Sequence, residues 1–169
     1  MSKITIAPCL WFDTQAEDAA RFYVSVFKDS RIIGISHYTS AGQETHHKPA
    51  GSVMTVDFEL FGQRVTALNG GPQFKFNEAI SLQVYCEDQK EIDYYWDKLS
   101  AGGDPGAQVC GWVKDKFGLS WQVVPRMMGE LFLNSESAGA RRAMEAMLRM
   151  KKIDIAALER AAQGETVKA

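Results

Sequence analysis

The sequence predicts an α+β fold: one strand–helix–strands unit used twice, followed by a helical tail. Three observations predict it. Ala19, Phe22, Tyr23 and Val26 form an apolar stripe at i, i+3, i+4 and i+7, and Ile92, Tyr95, Trp96 and Leu99 repeat it at a constant offset of 73. Each stripe follows a short apolar strand-like run and precedes further β-type segments. After Pro125 the pattern changes to helical, rich in Met and Arg. A duplicated unit of this kind builds a sheet with a concave face between its halves, and concave faces bind small molecules.

The elements follow in order. Ile4 to Phe12 reads as a largely buried strand. Thr14-Gln15-Ala16-Glu17 has the form of a capping box, opening a helix to about Phe27. Arg31 to Tyr38 is a strand, and the polar stretch from Thr39 to Ser52, with Gly42, Pro49 and Gly51, is a loop. Ser52 to Leu60 and Gln63 to Asn69 are strands joined through Phe61-Gly62, and Asn69-Gly70-Gly71-Pro72 ends the first unit. The second unit opens with a strand from Ala79 to Cys86. Asp88-Gln89-Lys90-Glu91 is again a capping box, before a helix to about Ser100. A Gly/Pro/Asp-rich break leads to Gln108–Lys114 and Leu119–Val124, a hairpin around Asp115-Lys116-Phe117-Gly118. In the tail, one helix has Met144, Met147 and Leu148 on one face. Asp154 caps a last helix with Ile155 and Leu158 inward and Gly164 past its end.

Composition narrows the function classes. The 169 residues suit one compact domain or two small fused modules, and 46% hydrophobic content fills a core. A net charge of −2 gives no basic excess to hold nucleic acid through its phosphates. The first residues lack the apolar stretch of a secretory signal, and no run approaches a membrane span. Cys9, Cys86 and Cys110 are odd in number and widely spaced, which suits reduced thiols and a cytoplasmic location.

Strand alternation selects candidate site residues. Thr55, Asp57 and Glu59 share one face of their strand, with Val56 and Phe58 on the other. If the polar face looks into the cavity, Asp57 is a candidate general base or ligand anchor. Asn69, Ser81, Gln83, Ser120 and Gln122 are candidate neutral hydrogen-bonding groups of the same cavity, and Trp112 or Trp121 an aromatic wall. His46 and His47 lie adjacent in a polar loop and make a poor chelating pair. One of them closing over the cavity as an acid or base is a further idea. Cys110 has no neighbouring base in the sequence and reads as a small buried hydrophobe.

Several blocks in order resemble a known family: Pro8-Cys9-Leu10-Trp11-Phe12, Ala16-Glu17, Phe22-Tyr23, Val26-Phe27, Phe58-Glu59-Leu60, Ala67 to Pro72, Phe74 to Ser81, and above all Cys110 to Gln122. They resemble the PhnB-like proteins, a branch of the vicinal oxygen chelate superfamily often labelled demethylubiquinone methyltransferase. The resemblance implies a domain at 3–125 of two βαβββ modules, 3–72 and 79–125, forming a cupped mixed sheet, with 126–169 as a helical extension. It also implies a homodimer. Relatives hold a divalent metal with His or Glu from four strands. Carried over, those positions fall at Pro8, at Ala67 or Asn69, at Ala79 or Ser81, and at Gln122, four residues after the Gly of Asp115-x-x-Gly118. None is an imidazole or carboxylate, so the expectation is no metal centre and no cofactor. The glycines show no strand–Gly-rich turn–helix arrangement for a nucleotide-type cofactor.

The function expected is metal-independent binding of a small, partly apolar organic ligand, with no nucleic-acid or membrane partner. A metal-dependent lyase or dioxygenase with displaced ligands, the labelled methyltransferase, and a dimeric interaction module using the Met-rich tail are the alternatives.

Overall fold

The computed structural model describes residues 6–133 and 136–165. The start of the first predicted strand, at Ile4, lies outside them. The chain forms two compact units, Met1–Phe76 and Asn77–Ala169.

In the first unit β1 (Cys9–Phe12) leads into α1 (Ala16–Val26), then β2 (Ser30–His37), the short α2 (Gln43–His46), β3 (Val53–Leu60) and β4 (Gln63–Asn69). The sheet order is β1-β4-β3-β2, with β1 parallel to β4 and the other pairs antiparallel. Apolar residues at alternate positions explain how the sheet packs. Leu10, Phe12, Val56, Phe58, Val65 and Ala67 are buried with Ala19, Ala20, Tyr23 and Val26 of α1. The Tyr23 ring stacks on Phe58 with centroids 6.1 Å apart. Burying one such side chain is worth about 1.5–3 kcal/mol. Phe61 and Gly62 both have positive φ, 46° and 79°, the backbone of a two-residue hairpin matched to strand twist.

The expected loop between β2 and β3 contains α2, bounded by Gly42 and His47, both in the left-handed region. The start of α1 also differs from expectation. Gln15 is its N-cap and no side chain of the capping sequence bonds there; Asn69 supplies the acceptor instead. The reason is a one-residue difference between the units. Buried strand positions repeat at an offset of 74 (Leu10 and Val84, Phe12 and Cys86), while helix positions repeat at 73 (Ala19 and Ile92, Tyr23 and Trp96). The link from β1 to α1 is therefore one residue longer, and Thr14 falls out of register.

In the second unit β5 (Leu82–Cys86) leads into α3 (Gln89–Ser100), a 3-10 turn (Pro105–Ala107), β6 (Trp112–Lys114) and β7 (Ser120–Pro125). Here the capping sequence acts: Asp88 Oδ1 accepts the Glu91 N–H at 2.9 Å, and Glu91 Oε2 accepts the Glu87 N–H at 2.8 Å. The sheet order is β5-β7-β6, with β5 parallel to β7, as β1 is to β4. Where the first unit has β2, this unit has the 3-10 turn and an isolated bridge between Val109 and Trp112. Val84, Cys86, Val113, Trp121 and Val123 are buried with Ile92, Tyr95, Trp96 and Leu99 of α3. The two mixed sheets with their helices make the fold α+β.

Three helices follow: α4 (Met127–Leu133), α5 (Ala138–Met147) and α6 (Ile155–Gln163). Asp154 caps α6 through the Ala157 N–H, and Gly164 ends it at φ 88°. Arg142 of α5 donates to the Ala161 and Ala162 carbonyls at the end of α6, placing a cation at the negative end of the helix. The segment before α6 is tied to the second unit. Cys110 and Gly111 donate to the Met150 and Lys151 carbonyls, each at 2.8 Å, and the Gln89 amide bonds Ile153 O and the Ile155 N–H. The face of α5 that packs is the small one, Ala140 and Ala143. Met144 and Leu148, two of the three residues of the expected apolar face, are 37% and 61% exposed. Close approach to α6 explains the choice, since a Cβ on Gly139 would lie 3.0 Å from the Ala162 carbonyl oxygen.

Candidate functional site

In each sheet the helix covers one face, so chemistry is left to the other. In the second unit that face carries a row set by strand register, Gln83 opposite Gln122 and Gln122 opposite Trp112. Gln83 Nε2 donates to Gln122 Oε1 at 3.2 Å, Gln122 Nε2 to Ser81 Oγ at 2.8 Å, and Tyr85 Oη to Gln83 Oε1 at 2.5 Å. The result is a chain of neutral donors and acceptors beside an indole. Every amide in it keeps hydrogen-bonding capacity, because a primary amide has two N–H groups and two lone pairs. Four predicted residues, Ser81, Gln83, Trp112 and Gln122, thus come together. Ser120 lies two residues before Gln122 and pairs in register with Lys114, but it is buried. Tyr85 and the Lys114–Glu78 ion pair were missed; alternation from Gln83 would have found Tyr85. Trp121 points the other way, into the core, with its indole N–H on Asp115.

Asp57 and Asn69 belong to the first unit. Asp57 stands on the face opposite α1, paired in register with Thr66. Thr66 Oγ1 donates to its Oδ1 at 2.5 Å and Arg64 Nη2 to its Oδ2 at 2.6 Å. The Thr66 hydrogen bond, and after it the Arg64 guanidinium, hold the Asp57 carboxyl below the usual carboxylate range. A carboxylate so held is a weak proton acceptor at neutral pH, which favours anchoring over general-base work. Asn69 is 7% exposed. Its Oδ1 accepts the Ala16 N–H at 2.8 Å and its Nδ2 donates to Val53 O at 3.0 Å. Both ends of this amide fasten β4 to α1 and β3.

Two cavities open in the first unit. One, of about 470 Å³, is lined by Trp11, Tyr38, His46, His47, Lys48 and Leu68 together with the backbone at Gly70-Gly71. The other, of about 340 Å³, is lined by Asp13, Glu17, Asp18, Lys48 and Asn69 among others. Trp11 is firmly seated. Its Nε1 donates to Gly71 O at 2.8 Å, and its ring meets Phe74 edge-on at 5.0 Å. A Cβ on Gly70 would fall 2.2 Å from the indole, so only glycine fits. That glycine pair, which the sequence marks as the end of the first unit, is the signal for this cavity. His46 Nδ1 accepts the Lys48 N–H at 3.0 Å, which puts the ring proton on Nε2, facing the Ala41 carbonyl at 3.3 Å. Both ring nitrogens are thus used in holding the loop.

The residues do not fit the superfamily's metal. No group of three or more His, Cys, Asp or Glu among the described residues is placed to hold an ion. Gln122 and Ser81 bond each other, Ala67 is buried on the α1 side, and Pro8 offers no side-chain donor. Neither Cys9 nor Cys86 is a strong nucleophile. Burial, and then Glu91, Asp88 and Glu87, push the Cys86 thiol up to about 12. Burial and then Asp57 raise that of Cys9. Cys110, expected buried, is half-buried in a turn at φ 50°. No helix among the described residues is long and apolar enough to cross a membrane.

Comparison with known proteins agrees with this architecture. The family model for 3-demethylubiquinone-9 3-methyltransferase matches residues 4–124. A solved structure described as a putative 3-demethylubiquinone-9 3-methyltransferase, PhnB protein, from Bacillus cereus is 34% identical. It covers 72% of this chain and 99% of its own, with a TM-score of 0.60. Protein PA1353 from Pseudomonas aeruginosa, 17% identical, shares the fold at a TM-score of 0.55 over 73% of this chain and 98% of its own. No curated protein matches the chain. With the model spanning most of its length and the Bacillus protein matched nearly end to end, the chain belongs to the 3-demethylubiquinone-9 3-methyltransferase family, the PhnB-like branch of the vicinal oxygen chelate superfamily.

Proposed function

We propose that this protein binds a small, partly apolar organic molecule without a metal ion, its polar atoms met by the amide row and its apolar surface by Trp112. The observation that supports this most is the bonded chain Tyr85–Gln83–Gln122–Ser81 beside Trp112, with Gln122 at the position where the family resemblance implies a metal-binding carboxylate. Neutral amides are poor ligands for a divalent ion and good partners for carbonyl and hydroxyl groups. Ser120, on the same strand as Gln122, belongs to the same proposal as a support of the site; Asp57 is proposed separately as a ligand anchor of the first unit, with Asn69 as a residue that holds that unit together. A homodimer, tested by light scattering, and a cytoplasmic location, which the free Cys9, Cys86 and Cys110 favour, belong to the proposal as well.

The enzyme reading rests on a different observation. His47 lines the larger cavity, and its imidazole, unlike its backbone N–H, has no hydrogen-bond partner among the described residues, so the ring is open to a bound molecule. The methyltransferase of the family's name finds less support. The N-termini of α1 and α3, the helices that cover the two sheets, are filled by this chain's own oxygens, Asn69 Oδ1 at Ala16 and Asp88 Oδ1 at Glu91, with Glu17 and Asp18 in the first turn of α1.

A thermal-shift screen of quinones, glutathione adducts, S-adenosylmethionine and divalent metals tests the proposal. A bound compound at a hundredfold excess over its Kd adds about 2.7 kcal/mol, enough to raise Tm by several degrees. A neutral organic compound is expected to give that shift, and Gln122→Leu to weaken it by about tenfold in affinity. A shift from S-adenosylmethionine or a metal alone, unaffected by Gln122→Leu, contradicts the proposal.

A further inference from the structure

We propose that the larger cavity of the first unit is a binding site for an uncharged planar aromatic molecule, its ring held against Trp11 and its hydroxyl or ring N–H met by His47. The inference rests on the open imidazole of His47 and deepens that reading. It is independent of the amide row of the second unit.

The walls fit a flat ring. Trp11 and Leu68 are register partners on β1 and β4, and they line the cavity together. The Trp11 indole is fixed by Gly71 O at 2.8 Å, by the bare backbone of Gly70 and by the Phe74 edge. Tyr38 is fixed by its hydroxyl on Asn69 O at 2.8 Å, and its ring lies 4.6 Å from that of His46. His46 in turn is held at both nitrogens. Aromatic walls already held in place lose little entropy when a ring docks. Ring pairs also add a stacked or edge-to-face attraction that a saturated ligand lacks. About 470 Å³ accommodates one or two fused rings within the usual range for ligand pockets.

No unmet charge stands in this cavity to select an ion. Lys48 is the only Lys, Arg, Asp or Glu of its described lining. The Lys48 ammonium donates to the Asp13 carbonyl oxygen at 3.3 Å and lies 3.9 Å from the Asp13 carboxylate, and Asp13 lines the smaller cavity. An ionic ligand would shed water here without gaining a counter-charge. A neutral polar group fares better, because a neutral imidazole offers one donor and one acceptor nitrogen. His47 ends α2 at φ 55°, in the left-handed region that glycine enters without strain. Its backbone N–H closes the helix on the Gln43 carbonyl, which glycine would do as well. The fold therefore does not call for this imidazole, and the cavity gives it a use.

Calorimetry on the full-length chain tests this with naphthol as probe. Naphthol is expected to saturate one site per chain and to bind at least about tenfold more tightly than either of two comparisons. Decahydronaphthol keeps the hydroxyl and loses the flat ring; naphthoate keeps the ring and adds a charge. His47→Gly should weaken naphthol by about tenfold, the value of one hydrogen bond, with a Tm equal to or above that of the parent. Leu68→Phe, which fills the cavity, should weaken it by at least as much, and Gln122→Leu should leave it unchanged. Absent saturation, a comparison compound bound as tightly, or full affinity in His47→Gly or in Leu68→Phe would each overturn the inference. Affinity that falls in Gln122→Leu would move the ring to the amide row, and this inference would fail while the amide-row reading stood.

Discussion

Replacing Asp115 by alanine is expected to lower the free energy of unfolding by about 3–5 kcal/mol. Asp115 is 2% exposed. Its Oδ1 accepts the Phe117 N–H at 2.8 Å and the Leu119 N–H at 3.1 Å, and its Oδ2 accepts the Trp121 indole N–H at 2.8 Å. Its backbone closes the same turn, donating to Leu119 O and accepting from Gly118 N. One carboxylate therefore shapes the β6–β7 hairpin and orients the core indole. Removing it strands three donors in a nearly dry setting, at about 1–3 kcal/mol each before relaxation. Asp115→Asn keeps the shape but turns an N–H toward a donor, so it should recover only part of the loss. Urea unfolding reads both variants as a drop in midpoint with little change of slope. A loss under about 1 kcal/mol for the alanine variant would show that the turn does not depend on this side chain.

Asn69→Ala is expected to cost about 2–4 kcal/mol for a related reason. It leaves the Ala16 N–H and the Val53 carbonyl without their amide partner, at the point where β4, α1 and β3 meet. Asn69→Asp keeps an acceptor for Ala16 and adds a negative charge at the helix N-terminus, so it should be milder. The pair also separates two roles. If Asn69 serves the fold, the alanine variant loses stability and the aspartate variant retains ligand binding. If Asn69 serves the ligand, binding falls in both while stability holds.

What the sequence revealed follows from which forces are local. The apolar stripes located α1 and α3 because burial repeats at the helical period wherever a helix covers a sheet. Strand alternation sorted Gln83 and Gln122 from Val84 and Trp121, since side chains must alternate faces. The same rule placed Asp57 away from Phe58. The capping sequence at Thr14 misled because a cap depends on one residue of register, and a side chain from β4 took its place. The Met face of α5 does not say which side of the helix packs within the chain, and there α5 meets α6 through its alanines. The Trp11 cavity was invisible for another reason. Tyr38, His46 and Lys48 reach it through an irregular segment whose path no periodicity encodes, and its seat is recorded only in Gly70.

Elemental analysis of the purified full-length protein, paired with melting in the presence and absence of a chelator, tests the central claim most directly. The account predicts far less than one equivalent of zinc, nickel, iron or manganese per chain and a Tm that the chelator leaves unmoved, since a metal bound only to the folded state would raise it. One tightly held equivalent per chain, with a Tm that falls when it is stripped, would contradict the account.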